Sequence, residues 1–230
     1  MSLKVYFDLM SQPSRAVMLF CKVNKIPFTP KPIALRKNEH HSEEYGRINP
    51  FRKVPAIEDG HFKLTESVAI LQYLAEKYKV PDHWYPKDLQ ERSKVQEYLA
   101  WQHMNTRMHC ATVFTHEVVI PRVTGSPPDE DALQTLVNNM HTTLTALEEV
   151  FLRDKPYLCG DKISIADLLG ICEVLQVTTS GRDVTAGHPK LATWIARVKA
   201  ELNPHFDEVF ALFNRVRDKY MEQKAQQAKL

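Results

Sequence analysis

Pro55 is the residue that most constrains this chain. It interrupts Lys53-Val54-Pro55-Ala56-Ile57, an apolar run of strand character. Proline has no N–H to give a ladder, so it opens a strand or lies on an edge, and X-Pro is the one bond where a cis peptide is cheap. Downstream, Val54 to Glu58 and His61 to Leu64 flank Asp59-Gly60. Asp-Gly between apolar runs predicts a tight hairpin with positive φ at both central residues. Thr65-Glu66-Ser67 then opens a helix whose apolar side is Val68, Leu71, Leu74 and Ala75. A hairpin feeding a helix leaves first-turn N–H groups facing outward, where a carboxylate is stabilised. Two readings fit: a cradle for a small anion or peptide, and an ordinary ββα unit with a surface proline.

Composition narrows what such a cradle would serve. The 230 residues are 43% hydrophobic and 25% charged, as in a soluble globular protein of one large or two ordinary domains. A net charge of +2 gives no electrostatic case for nucleic acid or an anionic membrane. Apolar stretches are too short to span a bilayer, and Met1-Ser2-Leu3-Lys4 runs into a strand pattern without a signal region, so a cytoplasmic location is expected. Cys21, Cys110, Cys159 and Cys172 are scattered, which suggests neither a disulfide framework nor a zinc site. No glycine-rich nucleotide loop occurs.

Before the cradle, Lys4 to Asp8 is strand-like and Leu9 to Gln12 a short connection. Pro13 suits the first position of a helix carrying Ala16, Val17, Leu19, Phe20, Cys21 and Asn24. Phe28 to Leu35 reads as a second strand whose two prolines place it at an edge, and Lys37 to Arg47 as a loop with a short helix. The order is β-α-β-(α)-β-β-α: two layers around a four-stranded sheet.

That order is the thioredoxin-like one, and Lys53-Val54-Pro55-Ala56 with Glu66-Ser67 resembles the glutathione-binding core of the glutathione transferases. Asp8-Leu9-Met10-Ser11-Gln12-Pro13-Ser14-Arg15-Ala16-Val17, Val80 to Pro86 and Tyr98 to His103 are similar to the theta class. The resemblance runs through nearly the whole chain up to the last helix. It implies a thioredoxin-like domain at 1–79, a linker at 80–88 and an all-helical domain at 89–230. It further implies that the Val54 backbone pairs with glutathione beside a cis Pro55, that Glu66 and Ser67 hold the γ-glutamyl end, and that His40 and Lys53 lie near the glycyl end. Glutathione is then a co-substrate, with no cofactor or metal needed.

The resemblance also points the Ser11 hydroxyl at the sulfur, and elementary chemistry agrees. A free thiol with pKa about 8.5 is only about 3% ionised at pH 7. Lowering that pKa by about two units takes on the order of 2.7 kcal/mol. A hydrogen bond to a charged acceptor supplies about 1.5–3 kcal/mol and a helix N-terminus about 0.3–1 kcal/mol. Ser11 need therefore be only a donor to an anion. In isolation it would read as a helix cap, and Ser14 is a second serine within reach of either role. Tyr6 sits inside the strand pattern and reads as packed rather than as a phenol donor.

Beyond the linker, whose His83-Trp84-Tyr85 suggests packing on both domains, the chain is helical. Leu89 to about Val119 forms one long helix or a kinked pair with Val95, Leu99, Met104, Met108 and Ala111 on its apolar side. His103, His109 and His116 lack metal-ligand spacing. Arg107 would ordinarily be a surface charge; the resemblance places it facing the sulfur, where a guanidinium favours a thiolate and an anionic leaving group. Leu9, Met10, Met108, Ala111 and Phe114 are then expected to line an electrophile pocket. A loop at Thr124 to Asp131 precedes an amphipathic helix from Leu133 to Phe151, and Ser164 with Asp167 approximates a capping box for the next. His188-Pro189 and Asn203-Pro204 start two more helices. From Arg215 the chain turns polar and reads as a solvated helix end. The longer theta enzymes carry a lid here, so a chain ending at Leu230 implies a more open site.

The implied activity is attack of activated glutathione on small hydrophobic electrophiles: alkyl halides, epoxides, isothiocyanates or sulfate esters. The alternative is a non-catalytic binder of glutathione or apolar ligands on the same fold. A homodimer is expected from the resemblance, although no interface stripe stands out.

Overall fold

The computed structural model describes residues 3–227. Strands β1 (Leu3–Phe7), β2 (Phe28–Pro32), β3 (Ala56–Asp59) and β4 (Phe62–Thr65) form a mixed sheet in the order β2-β1-β3-β4. β1 pairs parallel with β2 and antiparallel with β3. Helices α1 (Gln12–Val23) and α3 (Ser67–Lys77) accompany the sheet, with a short α2 (Glu43–Gly46) between β2 and β3. This is the thioredoxin-like arrangement, with β2 at an edge as its prolines require. Pro13 is the second residue of α1, not the first. β2 stops at Pro32, short of Leu35.

The hairpin is displaced by one residue. Asp59 pairs with Phe62, so the turn is Gly60-His61, and of the two only Gly60 has positive φ, at 64°. Asp59 stays in the strand because its carboxylate accepts from Tyr73 Oη at 2.7 Å and from Lys77 Nζ, both on α3.

A helical layer follows: α4 (Leu89–Trp101), α5 (Met108–Phe114), α6 (Ile120–Thr124), α7 (Glu130–Ala146), α8 (Ile165–Gln176), α9 (Pro189–Leu202) and α10 (His205–Gln227). Trp84 joins the layers: its ring meets Phe20 edge-on at 5.6 Å, while neighbouring His83 Nδ1 contacts the Ile163 carbonyl at 2.6 Å. The polar end of α10 is held rather than free, since Tyr220 Oη donates to Glu117 O and Lys224 Nζ to Ser180 O. Ala228 to Leu230, the last part of the expected solvated end, lie outside the described residues.

The run from α4 to α6 is one helical path with two π turns, His103–Arg107 and Thr115–Val119. Arg107 N–H donates to Gln102 O at 2.9 Å, an i→i+5 bond that fits an extra residue into the turn. The buried stripe nonetheless keeps the three-and-four spacing of a regular helix, running Val95, Leu99, Gln102, Thr106, Cys110 and Val113. Met104 and Met108, expected on the apolar side, fall off that stripe and are exposed instead.

Every residue of α8 is buried. Ser164 and Asp167 form the expected capping box, and the Asp167 carboxylate also accepts from Leu158 N and Trp194 Nε1, both at 2.9 Å. Burial raises the Asp167 pKa above the usual carboxylate range, opposed by these hydrogen bonds. Asp167→Ala strands several buried donors, so it is expected to cost at least about 3 kcal/mol in urea unfolding. Asp167→Asn, which keeps one acceptor, should cost less. A loss below about 1 kcal/mol for the alanine variant would show that the cap does not anchor α8.

Candidate functional site

Register brings three short segments together. Tyr6 pairs with Ala56, and Ala56 with Thr65. The exit of β1, the Val54-Pro55 bond and Glu66-Ser67 are therefore neighbours across one end of the sheet. Val54-Pro55 is cis, as expected. The Lys53 carbonyl just before it accepts from Tyr45 Oη at 2.7 Å and Asn49 Nδ2 at 2.6 Å.

The loop from β1 to α1 is pinned at its start. Asp8 accepts Met10 N at 2.8 Å and Leu35 N at 2.9 Å, while its own carbonyl receives Ser11 N at 2.9 Å. Ser11 takes the cap position of α1 with extended backbone, yet its hydroxyl makes no cap bond. Among the described residues the hydroxyl makes one hydrogen bond, a long one to Val54 O at 3.5 Å, and the residue is 8% exposed. Capping is thus not what the side chain does. Ser14 is wholly buried, and its Oγ has no partner among the described residues.

Several other helix ends are capped, while α5 and α6 continue directly from π turns without a side-chain cap. Asp88, Asp129 and Ser164 cap α4, α7 and α8; Glu148 accepts Lys190 N and Leu191 N of α9; Asn203 accepts Asp207 N of α10. Among the described residues α1 and α3 have no side-chain cap. Neither end offers its first-turn N–H groups a side-chain cap, and such a helix end presents a local field suited to negative charge. Glu66 enters α3 at φ 66° and ψ 113°, a sparsely populated conformation for a non-glycine residue. Ser67 is buried just behind it.

The remaining predicted residues of this half are more dispersed. Lys53 is exposed, and His40 is half-buried, its Nδ1 without a partner among the described residues and its ring 4.0 Å from that of His41. Burial, and then His41, lower the His40 pKa, opposed by Asp8. Tyr6 donates to Glu58 Oε2 at 3.0 Å, and burial with that bond pushes its phenol up to about 12. It is a packed residue, as the strand pattern indicates. Leu9 and Met10 are half-buried against the core.

On the helical side a cavity of about 500 Å³ is lined by His103, Arg107, Met108, Ala111, Thr112, Thr115 and His116. It is shallow and open to solvent. It joins Arg107, Met108 and Ala111 from the expected set; Leu9, Met10, Phe114 and Ser11 are not part of its lining. Arg107 Nη1 donates to Glu173 Oε1 at 2.7 Å, with the arginine side chain 40% exposed and the glutamate 1%. Burial pushes the Glu173 carboxyl up to about 7, against the pull of Arg107 and Arg15.

Arg15, Glu173 and Gln176 were missed by sequence reasoning. Fully buried Arg15 donates to Leu9 O at 2.8 Å, Cys172 O at 3.2 Å and Gln176 Oε1 at 2.6 Å, with its guanidinium against the rings of Phe210 and Phe213. The available signal was a charge inside an apolar stretch: Arg15 in α1, Glu173 in α8. Among the described residues no cluster of three or more His, Cys, Asp or Glu is placed to hold a metal. Nor is any described helix long and apolar enough to cross a membrane.

Comparison with known proteins agrees with this architecture. Family models for the glutathione S-transferase N-terminal and C-terminal domains match residues 1–76 and 104–201. Glutathione S-transferase theta-1 of Bos taurus is 48% identical over 200 residues, covering 87% of this chain and 83% of its own. Apo human glutathione-S-transferase T1-1 superposes with a TM-score of 0.90 at 45% identity, covering 94% of this chain and 91% of that one. A human theta-class transferase in complex with the glutathione conjugate of 1-menaphthyl sulfate has a TM-score of 0.87 at 38% identity, covering 95% and 91%. This chain belongs to the theta class of the glutathione S-transferases.

Proposed function

We propose that the chain conjugates glutathione to small electrophiles, with Ser11 as the donor that holds the sulfur as thiolate. The observation that carries this is the Ser11 hydroxyl, engaged by only a long 3.5 Å bond to Val54 O, at an uncapped helix end beside the cis Val54-Pro55 bond. Glutathione lies along the Val54 backbone. Its γ-glutamyl carboxylate meets the open α3 N-terminus with Glu66 and Ser67, and its glycyl end lies toward His40 and Lys53. The thiol proton leaves to solvent, and the Ser11 O–H donates to the sulfur anion. Sulfur then attacks the electrophilic carbon, the bond to the leaving group breaks, and the leaving group departs with the electron pair.

In this reading residues 1–79 supply the glutathione half, residues 80–88 connect, and residues 89–230 supply the electrophile half. Arg107, with Met108 and Ala111, brings positive charge and apolar surface to the second substrate, joined by Leu9, Met10 and Phe114 when glutathione is in place. The substrate class is alkyl halides, epoxides, isothiocyanates and sulfate esters; a theta-class relative is known with the conjugate of 1-menaphthyl sulfate. We also infer a cytoplasmic homodimer, as the family resemblance implies. Light scattering at micromolar concentration should give twice the chain mass, and a monomer would refute the dimer.

Removing one hydrogen bond to a charged group costs about 1.5–3 kcal/mol. Ser11→Ala is therefore expected to lower kcat/KM by about 10- to 100-fold across an electrophile panel, with the dissociation constant for glutathione little changed. Ser14→Ala should leave most activity, because Ser14 is sealed from the surface. Wild-type turnover by Ser11→Ala with every electrophile would overturn the Ser11 role. Binding of glutathione by the wild type without turnover of any electrophile would favour a non-catalytic binder.

A further inference from the structure

We propose that Glu173 is a positioning residue for turnover, acting through Arg107. The inference rests on the reading that Arg107 serves the electrophile half. Arg107 sits on a π turn at the edge of the cavity, with much of its side chain in solvent. An unrestrained arginine there would sample many rotamers and present its charge to the cavity only part of the time. Glu173 removes that freedom. It projects from a helix in which every residue is buried, and its Oε1 accepts one Arg107 N–H at 2.7 Å. A guanidinium carries five N–H donors, so four remain for the cavity side.

Charge makes the same point. Arg15 lies on the same side of α8, bonded to Cys172 O and Gln176 Oε1, which are one residue before Glu173 and one turn after it. Two guanidinium groups flank one carboxylate, which leaves a net positive charge. Arg15 is fully buried, so that charge is expressed where Arg107 is exposed. Glu173 Oε2 has no partner among the described residues. A buried carboxylate that is only partly satisfied is a poor stabilising device, since an apolar residue of similar volume often does as well. Its value here lies in where it holds Arg107.

A double-mutant cycle tests this in the full-length protein. Glu173→Gln alone is expected to lower kcat about five- to tenfold with glutathione affinity kept within twofold, and to have no further effect once Arg107→Ala is present. Glu173→Leu, which fills the space without an acceptor, should show the same coupling and serves if the Gln variant fails to fold. If Arg107→Ala is impaired but the Glu173 variants turn over like wild type, or if the two losses multiply, the positioning role is overturned. If Arg107→Ala itself turns over like wild type, the underlying reading of Arg107 fails, and this proposal with it.

Discussion

The rest of the structure depends on the buried Arg15 guanidinium. From the first helix it reaches the carbonyl of Leu9 in the Ser11 loop and two groups on α8, Cys172 O and Gln176 Oε1. Burying a cation is costly, and desolvation lowers the Arg15 pKa below its ordinary value. The cost is offset by three hydrogen bonds and by the faces of Phe210 and Phe213. A bond network with these fixed directions ties the sheet layer to the helical layer in one geometry. It also relates the two halves of the proposed site: the loop bearing Ser11 is bonded by Arg15, and Arg107 by Glu173, with both contacts reaching one buried helix.

The division of labour follows from burial and from helix ends. Most helices satisfy their first-turn N–H groups with side chains; α1 and α3 do not, and they end beside the Val54-Pro55 bond. In the proposed function, uncapped donors at these two helix ends serve as an anion site without any formal charge. Formal positive charge lies in the other layer, where Arg107, on a π turn, edges the cavity.

What was legible in the sequence was local. Pro55 at a strand start, Ser164 with Asp167 three residues on, and Pro13 near a helix start each have their cause within a few residues, and each is found in place or within one residue. Two kinds of feature were not legible. The π turn at His103–Arg107 leaves no mark in composition, and side-chain hydrophobicity put Met104 and Met108 on the buried side, where helical spacing from Val95 and Leu99 instead places Gln102 and Thr106. The pairings of Arg15 with Gln176 and Arg107 with Glu173 join residues far apart in the chain, and only the fold reveals them. Even the hairpin was misread by one residue, because Tyr73 and Lys77 on α3 hold Asp59 in the strand.

The central claim is that this geometry holds glutathione as a thiolate. A pH titration of the thiolate absorbance of glutathione bound to the wild-type protein reads this directly. The account predicts a midpoint about two units below the free thiol value of about 8.5. A bound thiol that titrates where free glutathione does would contradict it.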